Sequence, residues 1–195
     1  MKKLIQGPTF FSLRQAPSGS VAVVWVVHLG RPKIMRVLLY NPEVPLEPAI
    51  RSDLKNSQPA GCSEIDQVAD QMEAFLKGAA IRFSLDSILL DLCPDFQQRV
   101  LRAEHGIPRG KVSTYQLIAA FIGKPSAARA VGSALATNPF PIIIPCHRAI
   151  RSDRTLGGFQ GGLQMKRALL EAEGIPFDRA GRVAVENFFY SSNRR

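Results

Sequence analysis

The densest chemical signal in the chain is Ile142-Ile143-Ile144-Pro145-Cys146-His147-Arg148. Three β-branched residues predict a short buried strand or extended segment, and Pro145 ends it in a bend. A cysteine at such a bend is presented rigidly at the floor of a pocket. The thiolate is the nucleophilic form of cysteine, and a nearby histidine or guanidinium favours it. His147 is adjacent and Arg148 and Arg151 follow, so Cys146 reads as a nucleophile whose thiol ionises easily. Neighbours on an extended chain face opposite sides, so Cys146 couples to His147 only through a bend or a bridging water. His147 also needs a partner to set its tautomer, and Glu173, near the end of an expected helix 163–172, is the candidate. Cys62 and Cys93 read as inert core thiols. Three cysteines, odd in number and far apart, support neither a disulfide framework nor a zinc site, and they imply a reducing compartment.

Other stretches can serve such a nucleophile. In residues 126–136, Ser126, Ala127, Ala128, Ala130, Gly132, Ser133, Ala134 and Ala136 leave Arg129, Val131 and Leu135 as the larger side chains. Small side chains let a helix approach either another helix or the wall of a narrow groove, and both readings stay open. Arg129 is the lone long cation in the run. Its guanidinium plane can enter a base stack, and its charge suits surrounding phosphates. Asn138-Pro139 signals a turn, and the Asn138 side chain can tie that turn to the Cys146 segment. Gly157-Gly158-Phe159-Gln160-Gly161-Gly162 reads as a flexible loop whose backbone can approach a ligand, with Phe159 as an aromatic wall. Without a flanking strand and a Lys-Ser/Thr pair it is a weak phosphate loop.

These residues need elements to hold them. Residues 21–27 and 34–40 are apolar and β-branched, with a turn at 29–33 between them, which predicts a hairpin. Residues 41–60 are rich in Pro, Asn and Ser and read as a loop. Ser63 is placed to cap a helix whose stripe is Ile65, Val68, Ala69, Met72, Phe75 and Leu76. A third strand around 81–85 completes a small α+β unit. A junction falls near Cys93-Pro94, and Pro94 opens a helix with Phe96, Val100 and Leu101 on one face. Ile107-Pro108-Arg109-Gly110 is a turn. Ser113 and Gln116 form a capping box for a helix to about Ile122, Gly123-Lys124-Pro125 breaks it, and a second helix runs from Ser126 to about Ala136. Helix, short glycine-containing turn and helix outline a helix-turn-helix.

A chain of 195 residues with 46% hydrophobic and 21% charged content belongs to the ordinary globular class. No apolar run reaches the ~20 residues of a membrane helix, and residues 1–8 lack the apolar core of a secretory signal, so a cytoplasmic protein is expected. The net charge of +9 is lopsided: +2 over residues 1–90 and +7 over residues 91–195. The excess in the second half suits a phosphate backbone.

Residues from about 96 to 174 resemble the C-terminal domain of methylated-DNA–protein-cysteine methyltransferases. The resemblance rests on Ile107-Pro108-x-Gly110, Thr114-Tyr115-x-x-Ile118-Ala119, Ala127-Ala128-Arg129-Ala130-Val131-Gly132 and Asn138-Pro139. It continues through Ile144-Pro145-Cys146-His147-Arg148, Gly158-Phe159-x-Gly161-Gly162-Leu163, Lys166 and Leu169-Leu170-x-x-Glu173-Gly174. It implies that Cys146 accepts an alkyl group from O6 of guanine once, irreversibly and without a metal or organic cofactor. His147, through a water, and Glu173 would take the thiol proton, and Asn138 would support the turn. Tyr115 would help rotate the nucleotide out and protonate O6, while Arg129 fills the gap in the stack. The second helix, with Ser126, Ala127, Ala128, Gly132 and Ser133, would lie in the minor groove. Pro145, Phe159, Gln160 and Gly161 would line the substrate pocket. Phe159 stands where the family usually has Tyr, and Gln160 falls at a position that varies.

The implied architecture is α+β: a small RNase H-like sheet domain over residues 1–90, a mostly helical, winged-helix-like DNA-binding and acceptor domain over 91–178, and a tail over 179–195. The implied partner is double-stranded DNA containing alkylated guanine, with the chain a monomer and no membrane involved. Three other readings compete: a lesion-binding module of the same fold, a thiol hydrolase built on Cys146, His147 and Glu173, and a helix-turn-helix regulator. The presence of Cys146 speaks against the first, and the small-residue helix with Arg129 is unexplained by the second.

Overall fold

The computed structural model describes residues 7–42 and 46–191. Residues 1–6, where no secretory signal was expected, lie outside these, as do 43–45 of the expected loop and 192–195 of the expected tail. No described helix is long and apolar enough to cross a membrane. The architecture is α+β, and the chain divides into two units, Met1–Leu92 with Pro139–Ile143 and Cys93–Asn138 with Ile144–Arg195.

The first unit is a sheet of order β3-β2-β1-β4, from β1 (Thr9–Ala16), β2 (Gly19–His28), β3 (Arg31–Tyr40) and β4 (Ser57–Pro59). β1 and β3 run antiparallel to β2, and β4 pairs parallel to β1. The unbroken apolar run Val21 to Val26 is buried throughout, as a central strand covered on both faces requires. On one face Ala22, Val24, Leu38 and Tyr40 pack with Leu54 and with Ala49 and Ile50 of α1 (Leu46–Asp53). α2 (Ser63–Leu76) packs against the sheet and buries Ile65, Ala69, Met72, Phe75 and Leu76.

The expected hairpin is present with a shorter turn. His28 already pairs with Arg31 across Leu29-Gly30, both at positive φ (51° and 74°). Pro32 sits inside β3 because β3 is an edge strand, where a missing N–H is tolerated. The third strand expected at 81–85 does not form. That stretch leads into a 3-10 turn, Leu85–Ser87, whose cap is Ser84. β1 takes the place beside β2 instead. The expected loop 41–60 holds α1 and β4, and Cys62, not Ser63, occupies the N-cap of α2, with no side-chain cap bond. These elements follow from docking on the sheet, which local propensity does not encode.

The second unit contains α3 (Asp95–His105), β5 (Ser113–Thr114), α4 (Tyr115–Phe121), α5 (Ala128–Ala136), β6 (Ala149–Ile150) and α6 (Gly162–Ala172). Pro94 stands at the N-cap of α3, which buries Val100 and Leu101. Thr114 caps α4 through Leu117 N–H, so the expected Ser113–Gln116 box does not form, and Leu117 has no polar atom to return the bond; Ser113 Oγ instead donates to Phe189 O at 2.7 Å. Val112, Ile150, Leu170, Ile175 and Val183 form a core with Phe177 and Phe188 against it. Past residue 178 the chain stays packed: Phe189 N donates to Val112 O and Tyr190 Oη to Ala103 O, both at 2.8 Å. The Tyr190 ring also stacks on Phe121 with centroids 3.9 Å apart.

The strand expected at 142–144 is a tight turn. Ile142 lies at φ 73°, a costly conformation for a β-branched residue, and Ile142, Ile143 and Ile144 are all buried. Burial here rewards apolar side chains whatever their backbone shape.

Candidate active site

Cys146 opens a single 3-10 turn, Cys146–Arg148, with Pro145 at its N-cap and β6 directly after it. β6 pairs in parallel with β5, Ser113 against Ala149 and Thr114 against Ile150. That short ladder brings the start of α4, and so Tyr115, alongside the Cys146 turn. Asn138 Nδ2 donates to Ile144 O at 3.1 Å, and the same side chain hydrogen-bonds the Cys146 thiol. The expected tie between the Asn138 turn and the cysteine segment is therefore made on both the backbone and the sulfur.

Within the same turn, His147 Nε2 lies 3.0 Å from Glu173 Oε1. Glu173 caps the C-terminus of α6. Arg148 grips the same carboxylate through Nε (2.9 Å to Oε2) and Nη2 (2.7 Å to Oε1), while its Nη1 donates to Ile107 O at 2.7 Å. Gly110 N adds a long contact of 3.4 Å to Oε2. Burial pushes the Glu173 carboxyl up, but hydrogen bonds and charge from His147 and Arg148 outweigh it and hold it at about 2. Burial pulls His147 below its ordinary value, with Glu173 opposing. A carboxylate only accepts, so the neutral ring carries its hydrogen on Nε2 and turns an acceptor Nδ1 to the other side.

The easily ionised thiol does not appear. Burial pushes the Cys146 thiol up to about 11, against the Asn138 bond and the Lys166 cation, and the Glu104 carboxyl adds to the rise. Arg148, expected to favour the thiolate, is committed to Glu173 instead. Sequence proximity named the right cation and the wrong partner. Two buried charges that act on the thiol were not anticipated in that role: Glu104 of α3 and Lys166 of α6, both fully buried. Each falls on the apolar stripe of its helix, Glu104 with Val100 and Leu101, Lys166 with Met165, Leu169 and Leu170. A charge on a core face was the available signal.

Tyr115 is pushed up to about 12 by burial, with Glu104 and Cys146 adding and Arg151 opposing, so it is a neutral phenol and a proton donor. Its hydroxyl stands against Gly157, where a Cβ would come within 2.5 Å of Oη and φ is +68°. Only glycine fits there on both counts. The Phe159 ring meets the His147 ring edge-on, with centroids 6.2 Å apart. Pro145 and Gly161 are buried and Gln160 is exposed. A Cβ on Gly161 would strike Met165 Sδ at 2.3 Å.

α5 buries Val131, Ala134 and Leu135. Ser126, Arg129, Ala130, Ser133 and Ala136 are exposed, and Ala127, Ala128 and Gly132 are half-buried. A Cβ added at Gly132 would meet nothing within 4 Å. Ser126, Ala130, Ser133 and Ala136 thus lie on an open face with Arg129, where internal packing does not account for their size, while Ala134 packs inward. Among the described residues, no group of three or more His, Cys, Asp or Glu is arranged to hold a metal.

A family model described as the DNA-binding domain of 6-O-methylguanine DNA methyltransferase matches residues 95–175. The methylated-DNA–protein-cysteine methyltransferase of Methanothermobacter thermautotrophicus is 42% identical over 114 residues, which is 58% of this chain and 64% of that protein. The match therefore spans less than two thirds of that relative. The crystal structure of Mycobacterium tuberculosis O6-methylguanine methyltransferase superposes with a TM-score of 0.66 at 34% identity, covering 85% of this chain and 92% of that one. A structure of Mycobacterium tuberculosis OGT in complex with DNA gives 0.65 at 32% identity, covering 85% and 93%.

Glu173→Ala leaves the Arg148 charge buried without its partner, and should cost about 3–5 kcal/mol of stability at neutral pH. Because Glu173 titrates near 2 in the folded chain and near its ordinary 4.5 when unfolded, its contribution is complete above 4.5 and lost as pH falls towards 2. Denaturant titrations of wild type and variant should converge across that window; a gap that stays constant would contradict the assignment.

Proposed function

The chain belongs to the methylated-DNA–protein-cysteine methyltransferase family, and from that premise we propose that it repairs DNA by moving the alkyl group of an O6-alkylguanine onto its own Cys146, once per molecule. The observation that carries this is one buried turn holding a thiol next to a neutral histidine whose far nitrogen is bound to an arginine-compensated carboxylate. Names of relatives that specify methylated DNA, cysteine and methyl transfer support it, as does the relative bound to DNA.

The steps balance as follows. A water passes the thiol proton to His147 Nδ1, and Glu173 stabilises the imidazolium while Arg148 keeps the carboxylate ionised. The thiolate attacks the alkyl carbon in line, the S–C bond forms, and the C–O6 pair stays on guanine. Tyr115 supplies a proton to O6, so guanine leaves neutral, and the phenol is restored from the imidazolium. Ionising a thiol near 11 costs roughly 5 kcal/mol at pH 7. Holding sulfur and alkyl carbon in line inside one pocket supplies ~7–11 kcal/mol, so burial does not defeat the reaction. Electrons balance between sulfur and carbon, and no metal or organic cofactor is needed. The thioether product has no leaving group, which makes the event a single turnover.

The alkyl carbon is hidden in stacked DNA, so the base must be rotated out at a cost of a few kcal/mol. We read α4, its connection and α5 as a helix-turn-helix of winged-helix-like type, with the open small-residue face of α5 against the minor groove and Arg129 in the vacated stack. Ser126, Ala127, Ala128, Gly132 and Ser133 would line that contact, and Pro145, Phe159, Gln160 and Gly161 the pocket that receives the base. The four-stranded unit is read as RNase H-like. The chain acts on double-stranded DNA as a monomer in the cytoplasm.

Mixing the protein with a duplex holding one methylated guanine should add the mass of one CH2, mapped to the Cys146 peptide and absent from Cys146→Ala. Turnover beyond one equivalent, or a modified cysteine elsewhere, would refute the mechanism. Arg129→Ala should slow repair of the duplex at least tenfold more than reaction with the free alkylated base. Equal losses on both substrates would remove Arg129 from the flipping role.

A further inference from the structure

Residues 176–191 lie beyond the stretch that carries the family match, yet they are bonded to the elements around Tyr115. α4 is short, about 10 Å from end to end. Tyr115 is its first residue and Phe121 its last. Two adjacent residues of the C-terminal segment hold both ends. Before Tyr115, Phe189 N donates to Val112 O at 2.8 Å, and Ser113 Oγ returns a bond to Phe189 O at 2.7 Å. At the far end the Tyr190 ring stacks on Phe121 at 3.9 Å, while Tyr190 Oη donates to Ala103 O of α3 at 2.8 Å.

The backbone shows how firmly that second contact is specified. Tyr190 lies at φ 66°, a costly conformation for a bulky side chain, which persists only where its surroundings dictate it. Gly106 leaves room for the hydroxyl, since a Cβ there would come within 2.9 Å of Tyr190 Oη. The same segment also holds the loop that faces Tyr115. Arg154 Nη1 donates to Val185 O at 2.7 Å, and Val183 N donates to Arg154 O at 3.0 Å. The Arg154 guanidinium lies 5.2 Å from the Phe188 ring centroid. Gly157, shortly after Arg154, stands against the Tyr115 hydroxyl. β5 and β6, which join these two stretches, pair over only two residues each, too short a ladder to be stable alone.

We propose that the C-terminal segment, through Phe189 and Tyr190, positions the Tyr115 hydroxyl for the proton it gives to O6. This rests on the reading of Tyr115 as proton donor to the departing guanine. As the C–O6 bond breaks, the phenol O–H bond breaks and an O6–H bond forms, so the donor must lie within hydrogen-bond reach of that one oxygen. A displacement of about 1 Å at such a site costs up to about a hundredfold in rate. Tyr190 and Phe189 are positioning residues, since they act through α4 and β5. None of the bonds described above for Asn138, His147, Arg148 and Glu173 involves the segment, so its effect falls on the proton donor and not on the thiol.

The test is methyl transfer from a duplex holding one methylated guanine, timed over a single turnover. Tyr190→Ala should slow it about tenfold, a part of what a general acid contributes. In a Tyr115→Phe background the same change should cost less than about twofold, because the hydroxyl it positions is already gone. Tyr190→Phe, which keeps the ring on Phe121, should recover most of the rate. Alkylation of Cys146 by iodoacetamide at fixed pH needs no proton donor and should stay within about twofold of wild type in Tyr190→Ala. Ser113→Ala, which cuts the tie to Phe189 and removes little volume, replaces Tyr190→Ala in the same comparison if that variant does not fold. An equal loss with and without Tyr115→Phe, a parallel fall in iodoacetamide alkylation, or no loss at all overturns the proposal. A wild-type chain that never methylates Cys146 sinks the repair reading, and this inference with it, before any variant is compared.

Discussion

A single buried carboxylate, Glu173, organises the second unit. It lies at the end of α6 and is gripped by two residues of the Cys146 turn, while the turn before β5 contributes a backbone N–H. Three chain segments far apart in sequence thus converge on one negative charge. Isolated in the interior, that charge would be prohibitive; with a guanidinium on both oxygens it is held ionised well into acid. Because Arg148 supplies the compensating charge, His147 is free to remain neutral. A neutral imidazole anchored at Nε2 is a base in waiting, and a protonated one would not be.

The same logic explains why the sulfur is buried and not acidified. A thiol held near 11 is nearly inert towards stray electrophiles in solution, and in the proposed reaction it attacks only an alkyl carbon held against it. On that proposal selectivity would come from geometry, with Gly157 giving room for the Tyr115 hydroxyl and Phe159 standing edge-on to His147. The exposed face of α5 stands in contrast. There the side chains are small where nothing in the chain demands it, and the helix accepts the cost of Gly132, about 1 kcal/mol against alanine, without any packing return.

Much of this site is legible in the sequence because its parts are local. Cys146, His147 and Arg148 are consecutive, Asn138 lies just upstream, and Glu173 ends a helix whose stripe is plain. What stays hidden depends on three-dimensional neighbours. The direction in which the thiol shifts reverses because Arg148 faces Glu173 and desolvation dominates. Glu104 and Lys166 act on the thiol from helices 62 positions apart; Glu104 leaves no trace but a charge on an apolar stripe, and Lys166 adds to that only its place in the family pattern. In the fold, the continuous run of β2 announces itself, while β1 and β4 and the failed strand at 81–85 are decided by sheet pairing. The isoleucines at 142–144 mislead for a related reason: their side chains predict a strand, and complete burial sustains a left-handed residue in its place.

The protonation state of His147 is the most direct test of this account. Nitrogen-15 NMR of the ring, followed from pH 5 to pH 9 in the resting protein, should report one neutral tautomer with hydrogen on Nε2 throughout. An imidazolium at pH 7, or hydrogen on Nδ1, would mean that Glu173 and Arg148 do not set the base, and the relay built on them would fall.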